Sequence, residues 1–255
     1  KHTLLIITAL MLVVGCGSSE KEPEKEPINY ETTLIERGRV FYTKDTDKPY
    51  SGPVFSLHKD GRKHWEGTLK DGKRDGKWWK EYENGKKDVQ IIYKDGKRHG
   101  LYNQWYENGQ KWSEKKYKDG VPDGIHTWWY SNGQMREEGT FKDGEFDGEW
   151  TSWHENGQMR EEETWKDGEL NGKWISWYEN GQKSEERTYK DGKRDGLYTE
   201  WYENGQKSVE RTYKDEKRDG LYTEWYENGQ KSVETTFKDG ELIEETYWDR
   251  NGNEY

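Results

Sequence analysis

Gly100-Leu101-Tyr102-Asn103-Gln104-Trp105-Tyr106-Glu107-Asn108-Gly109-Gln110-Lys111-Trp112-Ser113-Glu114-Lys115-Lys116-Tyr117-Lys118-Asp119-Gly120 is one instance of a pattern that returns at constant spacing along the chain. The period is about 24 residues. The first glycine of the unit belongs to the series Gly52, Gly76, Gly100, Gly124, Gly148, Gly172, Gly196 and Gly220. The second belongs to Gly61, Gly85, Gly109, Gly133, Gly157, Gly181, Gly205 and Gly229. A fixed period in this range marks a repeat architecture. Such arrays offer extended surfaces more readily than a single enclosed catalytic pocket.

Within the unit, Asn108-Gly109 lies between two ring-bearing segments. Asn-Gly suits a two-residue type I′ hairpin loop, which needs positive φ at both central positions. The dipeptide recurs at Asn84, Asn132, Asn156, Asn180, Asn204 and Asn228. The second connection, Lys118 to Gly124, reads as a longer Gly-rich turn, and no unit carries a helical period. Each repeat is therefore expected to run strand, tight turn, strand, longer turn. With a two-residue loop, Trp105 pairs with Trp112 and Tyr102 with Lys115.

Side chains alternate between the faces of a strand. One face then collects three aromatic columns, represented by Tyr102, Tyr106 and Tyr117 and their counterparts in the other repeats. The opposite face carries Trp105, Trp129, Trp153, Trp177, Trp201 and Trp225. The three-column face is expected to be the buried one, formed as the sheet twists and coils on itself. The Trp column reads either as a stacked ladder that stabilises the sheet or as a ring-lined groove for a sugar chain or an extended peptide. The first unit, with Val54, Leu57 and Leu69 in ring positions, and the last, with Glu244 and Asn251-Gly252, depart from the pattern as terminal caps do.

Composition agrees with a thin, ring-rich structure. Aromatic residues make up 15 % of the 255 residues, all apolar types only 28 %, and charged types 37 %. Low apolar content and high charge favour disorder, but 15 Trp and 18 Tyr supply large buriable areas. A net charge of −10 argues against a nucleic-acid partner, which needs clustered cations. Lys and Arg alternate with Glu and Asp, as on a solvated surface.

The N-terminus differs. Lys1-His2 precedes the apolar run Leu4 to Val14, which has the length of a signal-peptide core and is short for a membrane span. It ends in Val13-Val14-Gly15-Cys16, which resembles the lipobox of bacterial lipoprotein signal peptides. The resemblance implies removal of residues 1–15 and lipidation of Cys16, the single cysteine. Residues 16–36 read as a lipidated Cys and flexible tether, charged and Pro-containing, and residues 37–255 as the repeat array. Gly17, where an Asp would favour inner-membrane retention, points to the outer membrane or cell surface.

The units Trp-Tyr-Glu-Asn-Gly-Gln-Lys and Tyr-Lys-Asp-Gly-Lys-Arg-Asp-Gly-Leu-Tyr resemble MORN repeats, and specifically the bacterial variant often labelled as the antitoxin component of a toxin–antitoxin system. The resemblance extends over roughly residues 37–253, recurring about eight times. It implies an all-β, elongated array of antiparallel β-hairpins in a single coiled sheet, and a role in protein interaction or membrane association.

Catalytic chemistry is not evident. His2, His58, His64, His99, His126 and His154 share no metal-ligand spacing, and His126 and His154 stand in aromatic columns. The Asp-Gly-x-x-Asp-Gly turns lack the bidentate Glu of a strong calcium loop, and phosphate-cradling motifs do not occur. The sequence thus points to a non-enzymatic, cofactor-free, metal-free envelope lipoprotein, anchored to the membrane by lipid, that binds a protein partner. A carbohydrate-binding module using the Trp ladder and an antitoxin-like or immunity protein binding an effector are the alternatives. The expected partners are a protein or a glycan, with no nucleic acid.

Overall fold

A computed structural model describes residues 25–255 of the chain. The expected signal segment 1–15, Cys16 and the first part of the expected tether lie outside the described residues.

The expected all-β array is present as one 19-stranded sheet. From Gly52–Leu57 onward each strand pairs antiparallel with the next, ending at Glu241–Tyr247. The short strand Val121–Pro122 is a local variation, pairing with Lys111–Lys118 beside Gly124–Trp129. The substantial contacts run between sheet neighbours, so the array is one layer thick.

The two turns exchange roles relative to the sequence reading. Asp119 (φ 51°) and Gly120 (φ 97°) both have positive φ, and similar two-residue turns connect Lys94 to Lys97 and Lys142 to Glu145. This is the I′ geometry, placed at Asp-Gly rather than Asn-Gly. At the other turn Gly109 N–H donates to the Tyr106 carbonyl (2.8 Å) and Tyr106 N–H to that of Gln110 (2.8 Å). Only Gly109 of that loop has positive φ, as in a three-residue hairpin built on a type I turn. Trp105 consequently lies opposite Lys111 and not Trp112. A bulge at Trp112 then absorbs the extra residue and restores Tyr102 opposite Lys115. Two departures cancel, which is why the aromatic columns still share one face.

Adjacent repeats are joined along both edges. At the Asp-Gly edge, Gly120 N–H donates to the Arg98 carbonyl and Gly144 N–H to that of Pro122. At the Asn-Gly edge, Tyr82, Tyr106, Tyr130, Tyr178 and Tyr202 each donate a phenol hydrogen to a Trp carbonyl of the next repeat, at 2.7–2.8 Å. His58 and His154 occupy the same column, with Nε2 2.9 Å from the Glu81 carbonyl and 3.4 Å from that of Trp177. The loop asparagine serves both repeats: Asn108 Oδ1 accepts from Gln110 N–H, and its Nδ2 donates to the Ser131 carbonyl. Tyr178→Phe is expected to lower stability by about 0.5–1.5 kcal/mol, the net worth of one such bond. Urea denaturation measures it, and an unchanged midpoint would show that water replaces the phenol without loss.

Among the described residues, the compact core is at the N-terminal end. Leu34, Phe41, Val54, Leu69 and Trp78 are buried together. Ile28–Arg37, most of which the sequence reading places in the tether, is structured and supplies part of this core. Ile28–Asn29 adds a parallel strand to Gly52–Leu57, and Tyr30–Thr33 forms one helical turn. Leu34–Arg37 pairs with Val40–Thr43. Phe41 N–H donates to the Gly72 carbonyl at 2.8 Å, docking this cap on the first Asp-Gly turn. The sheet edge there is thus covered rather than left as a template for further strands. Beyond the cap, the three-column face is not deeply buried as expected. Trp78, His126, Tyr198 and Tyr213 are buried on it, while most of its other rings are half-buried. A single layer has no second sheet to cover them.

Candidate functional site

The six tryptophans Trp105, Trp129, Trp153, Trp177, Trp201 and Trp225 do form a column, and all six are half-buried. Four are covered by an ammonium reaching from the preceding repeat. Lys87 lies 5.7 Å from the Trp105 ring centre, Lys111 5.4 Å from Trp129, Lys183 5.7 Å from Trp201 and Lys207 5.9 Å from Trp225. A cation over an indole face is attracted by the ring quadrupole and occupies the surface a ligand would stack on. Methionines replace the lysines at Met135 and Met159. Among the described residues no Lys or Arg lies over Trp153 or Trp177, so the column contains two adjacent rings without this cover.

The opposite face carries cations of its own, which the sequence reading overlooked. Arg74 lies 4.8 Å from the Trp78 ring centre, Arg98 5.3 Å from Tyr117 and Arg194 4.5 Å from Tyr213. A second column stands between the large rings: Arg187 is 4.5 Å from Trp174 and Arg211 3.8 Å from Tyr198. Lys115 occupies the same column at 5.2 Å from Trp128, and burial pushes its ammonium below the ordinary lysine pKa. Burial, together with Glu224, raises the Tyr222 phenol to about 12. Aligning the repeats column by column would have located these cations. Reading one unit alone does not, because most of these cations cover a ring of a neighbouring strand.

His126 is 2 % exposed, between Tyr117 and Phe141, with Nε2 2.9 Å from the Lys116 carbonyl. Burial lowers its pKa below 6.5. The unfolded chain therefore binds a proton there at a higher pH than the folded one. The stability associated with a neutral His126 is complete above about pH 6.5 and is lost as pH falls from there through its folded value. His126→Tyr, which installs the residue found at Tyr102 and Tyr198, is expected to flatten this part of the stability–pH curve. Denaturation midpoints between about pH 7 and 5 test it, and identical slopes in both proteins would contradict the assignment.

Among the described residues no group of three or more His, Cys, Asp or Glu side chains is arranged to hold a metal ion. The recurrent Asp-Gly turns are accounted for by their left-handed backbone. A depression of about 570 Å³ is an open furrow on the loop edge between Tyr202 and Tyr226. The geometry is that of a surface for contact: repeated hairpins in one layer, ring columns on both faces, and stacked turns.

The MORN repeat variant family matches this pattern at residues 98–119, 122–143, 146–167, 170–191, 194–215 and 218–239, more than half of the chain. The chain belongs to the MORN repeat variant family. Its six matched repeats begin at the strand Lys97–Trp105, and the two hairpins before it, from Gly52 to Lys94, continue the same sheet. No curated protein matches the chain. MORN repeats are generally protein- or membrane-binding units, and the family is not a catalytic one.

Proposed function

We propose that this MORN-repeat chain is a non-catalytic scaffold of the bacterial cell envelope. A lipid on Cys16 holds it at the outer membrane or cell surface, and the repeat sheet binds a protein partner. The observation that carries the scaffold reading is the single-layer construction. Most rings on both faces are only half-buried, yet they sit on a backbone fixed at both edges by inter-repeat hydrogen bonds. Such a surface is preorganised, so little ordering opposes association. Among the described residues no helix is long and apolar enough to cross a membrane. Attachment is assigned to Cys16 on its sequence context: Cys16→Ser should move the protein from the membrane to the soluble fraction. Retention in the membrane fraction would remove the lipid anchor from the proposal. Cross-linking in envelope extracts followed by reconstitution with the identified protein tests the scaffold role. Failure to form a defined complex would overturn it.

A glycan-binding reading draws on Trp153 and Trp177, the adjacent rings of the ladder without a lysine over them. Peptidoglycan or oligosaccharide binding that disappears in Trp153→Ala and Trp177→Ala would replace the protein-scaffold reading. Equal retention by wild type and variants would dismiss the glycan site.

A further inference from the structure

The three-column face carries two columns of cations, and both are interrupted over the same strands. Arg74, Arg98, Arg194 and Arg218 form one column, each within 5.6 Å of a ring on the following strand, at Tyr93, Tyr117, Tyr213 and Phe237 respectively. At the intervening positions stand Pro122, Phe146 and Leu170. The second column reads Gly67, Ile91, Lys115, Gly139, Glu163, Arg187, Arg211, Thr235, so between its cations at Lys115 and Arg187 it too lacks one, at Gly139 and Glu163. Both gaps fall in the same run of strands, from Val121–Pro122 and Gly124–Trp129 through Glu169–Trp177. At about 4.8 Å per strand the interruption spans about 20 Å.

What remains there is aromatic and acidic. Phe146 packs 4.9 Å from Trp150 and 5.0 Å from Trp165. Among the described residues no Lys or Arg lies over Phe146, Trp150 or Trp165. Glu163 stands between Trp150 and Trp174 in the pairing register. It accepts the indole N–H of Trp165 at 2.6 Å and of Trp174 at 3.1 Å, where the next repeats place Arg187 and Arg211. Residues 121–168 hold twelve Asp and Glu against four Lys and Arg, concentrating most of the net negative charge of the chain. Arg136 and Arg160 of this stretch are drawn to Glu137 and Glu161 at 3.3 and 3.6 Å, away from these rings.

We propose that this interruption is a binding site for a basic peptide segment of a partner protein. The partner's Arg and Lys side chains lie against the rings of this stretch, Phe146, Trp150 and Trp165, which no cation among the described residues covers. The proposal rests on the scaffold reading and gives the partner its chemistry. The internal Arg–ring contacts at either side show that the columns accept guanidinium groups. The local excess of carboxylates supplies complementary charge, with Glu163 as the carboxylate among the rings. A quaternary ammonium ligand would use similar rings, but the length of the interruption and its three missing arginines fit an extended chain with several cations.

The test is calorimetric titration of the full chain with a hexa-arginine peptide at about 0.15 M salt, where diffuse attraction is screened beyond about 8 Å. Glu163→Arg and Phe146→Arg refill the gap with the residue the array carries in the same columns, so the fold has a precedent for both. Each is expected to weaken binding at least about tenfold. Glu227→Arg and Leu242→Arg make the same charge changes elsewhere and are expected to have less than about a threefold effect. Equal weakening in all four variants would show diffuse attraction and overturn the site. So would tetramethylammonium binding as tightly as the peptide, or no peptide binding at all. A partner complex that survives Glu163→Arg and Phe146→Arg would overturn this site while leaving the scaffold reading intact, whereas absence of any partner complex defeats that reading separately.

Discussion

Trp78→Ala is expected to destabilise the N-terminal part of the array by about 3–5 kcal/mol, the range for removing a fully buried Trp. Trp78 is 0 % exposed and is the largest fully buried side chain among the described residues. Its ring meets Tyr30 and Tyr93 edge-on at 6.2 and 6.3 Å, and Arg74 lies over it. Its Nε1–H donates to the Thr68 carbonyl at 3.0 Å, so truncation also leaves a backbone acceptor without its partner. Because repeats touch only their neighbours, the damage should be local. Hydrogen exchange should accelerate first in Ile28 to Lys94, with the repeats beyond Gly124 still protected. Uniform acceleration along the whole chain would mean that the array unfolds as one unit. A loss below about 1 kcal/mol would mean that the cap closes over the cavity.

Gly139→Ala is expected to cost about 1–3 kcal/mol, even though the change ordinarily strengthens a strand. Gly139 is buried, and a Cβ built on it would lie 2.0 Å from Trp150 Cε3. Gly67 has the same relation to Trp78, at 2.3 Å. In both places a tryptophan lies flat over a bare backbone. The alanine methyl therefore requires the indole to leave its position, and overpacking outweighs the gain of about 0.5–1 kcal/mol from removing a glycine. Denaturation midpoints together with near-ultraviolet circular dichroism of the indoles test this. Increased stability would show that Trp150 moves aside without loss. Gly139→Ala would also disturb the aromatic surface next to Glu163, so the peptide titration is better made with Glu163→Arg.

Much of this architecture was legible in one repeat. Two ring-bearing segments per repeat, separated by turn dipeptides, define two strands, and alternation assigns Tyr102 and Trp105 to opposite faces. The turn types were not legible, because Asn-Gly and Asp-Gly both tolerate the I′ backbone and local rules do not separate them. The neighbouring repeat supplies a partner for the Asn108 side chain, whose amide reaches the Ser131 carbonyl, while Asp119-Gly120 takes the two left-handed positions. The bulge at Trp112 follows from that choice. The tether boundary was also obscured, since Glu26-Pro27 reads as linker whereas Ile28 and Leu34 become apolar contributions to a core assembled with Val54 and Trp78. Glu216 illustrates how far the array enforces a turn. It holds φ 68° where the other Asp-Gly turns have glycine, and it pairs with Arg194 at 2.9 Å.

The candidate surface divides in the same way. The Trp column could be counted from the sequence, as could the methionines at 135 and 159 and the missing arginines at 122, 146 and 170. Which rings carry a cation could not, because Lys111 covers Trp129 and Arg98 covers Tyr117 from across the boundary between strands. By itself, then, the sequence determined the period, the hairpin unit, the faces and the absence of a visible catalytic constellation, all of which follow from rules acting within a few residues. The tertiary structure decided which turn is tight, where the core closes and which rings remain available, because those depend on side chains reaching across from the next strand or repeat.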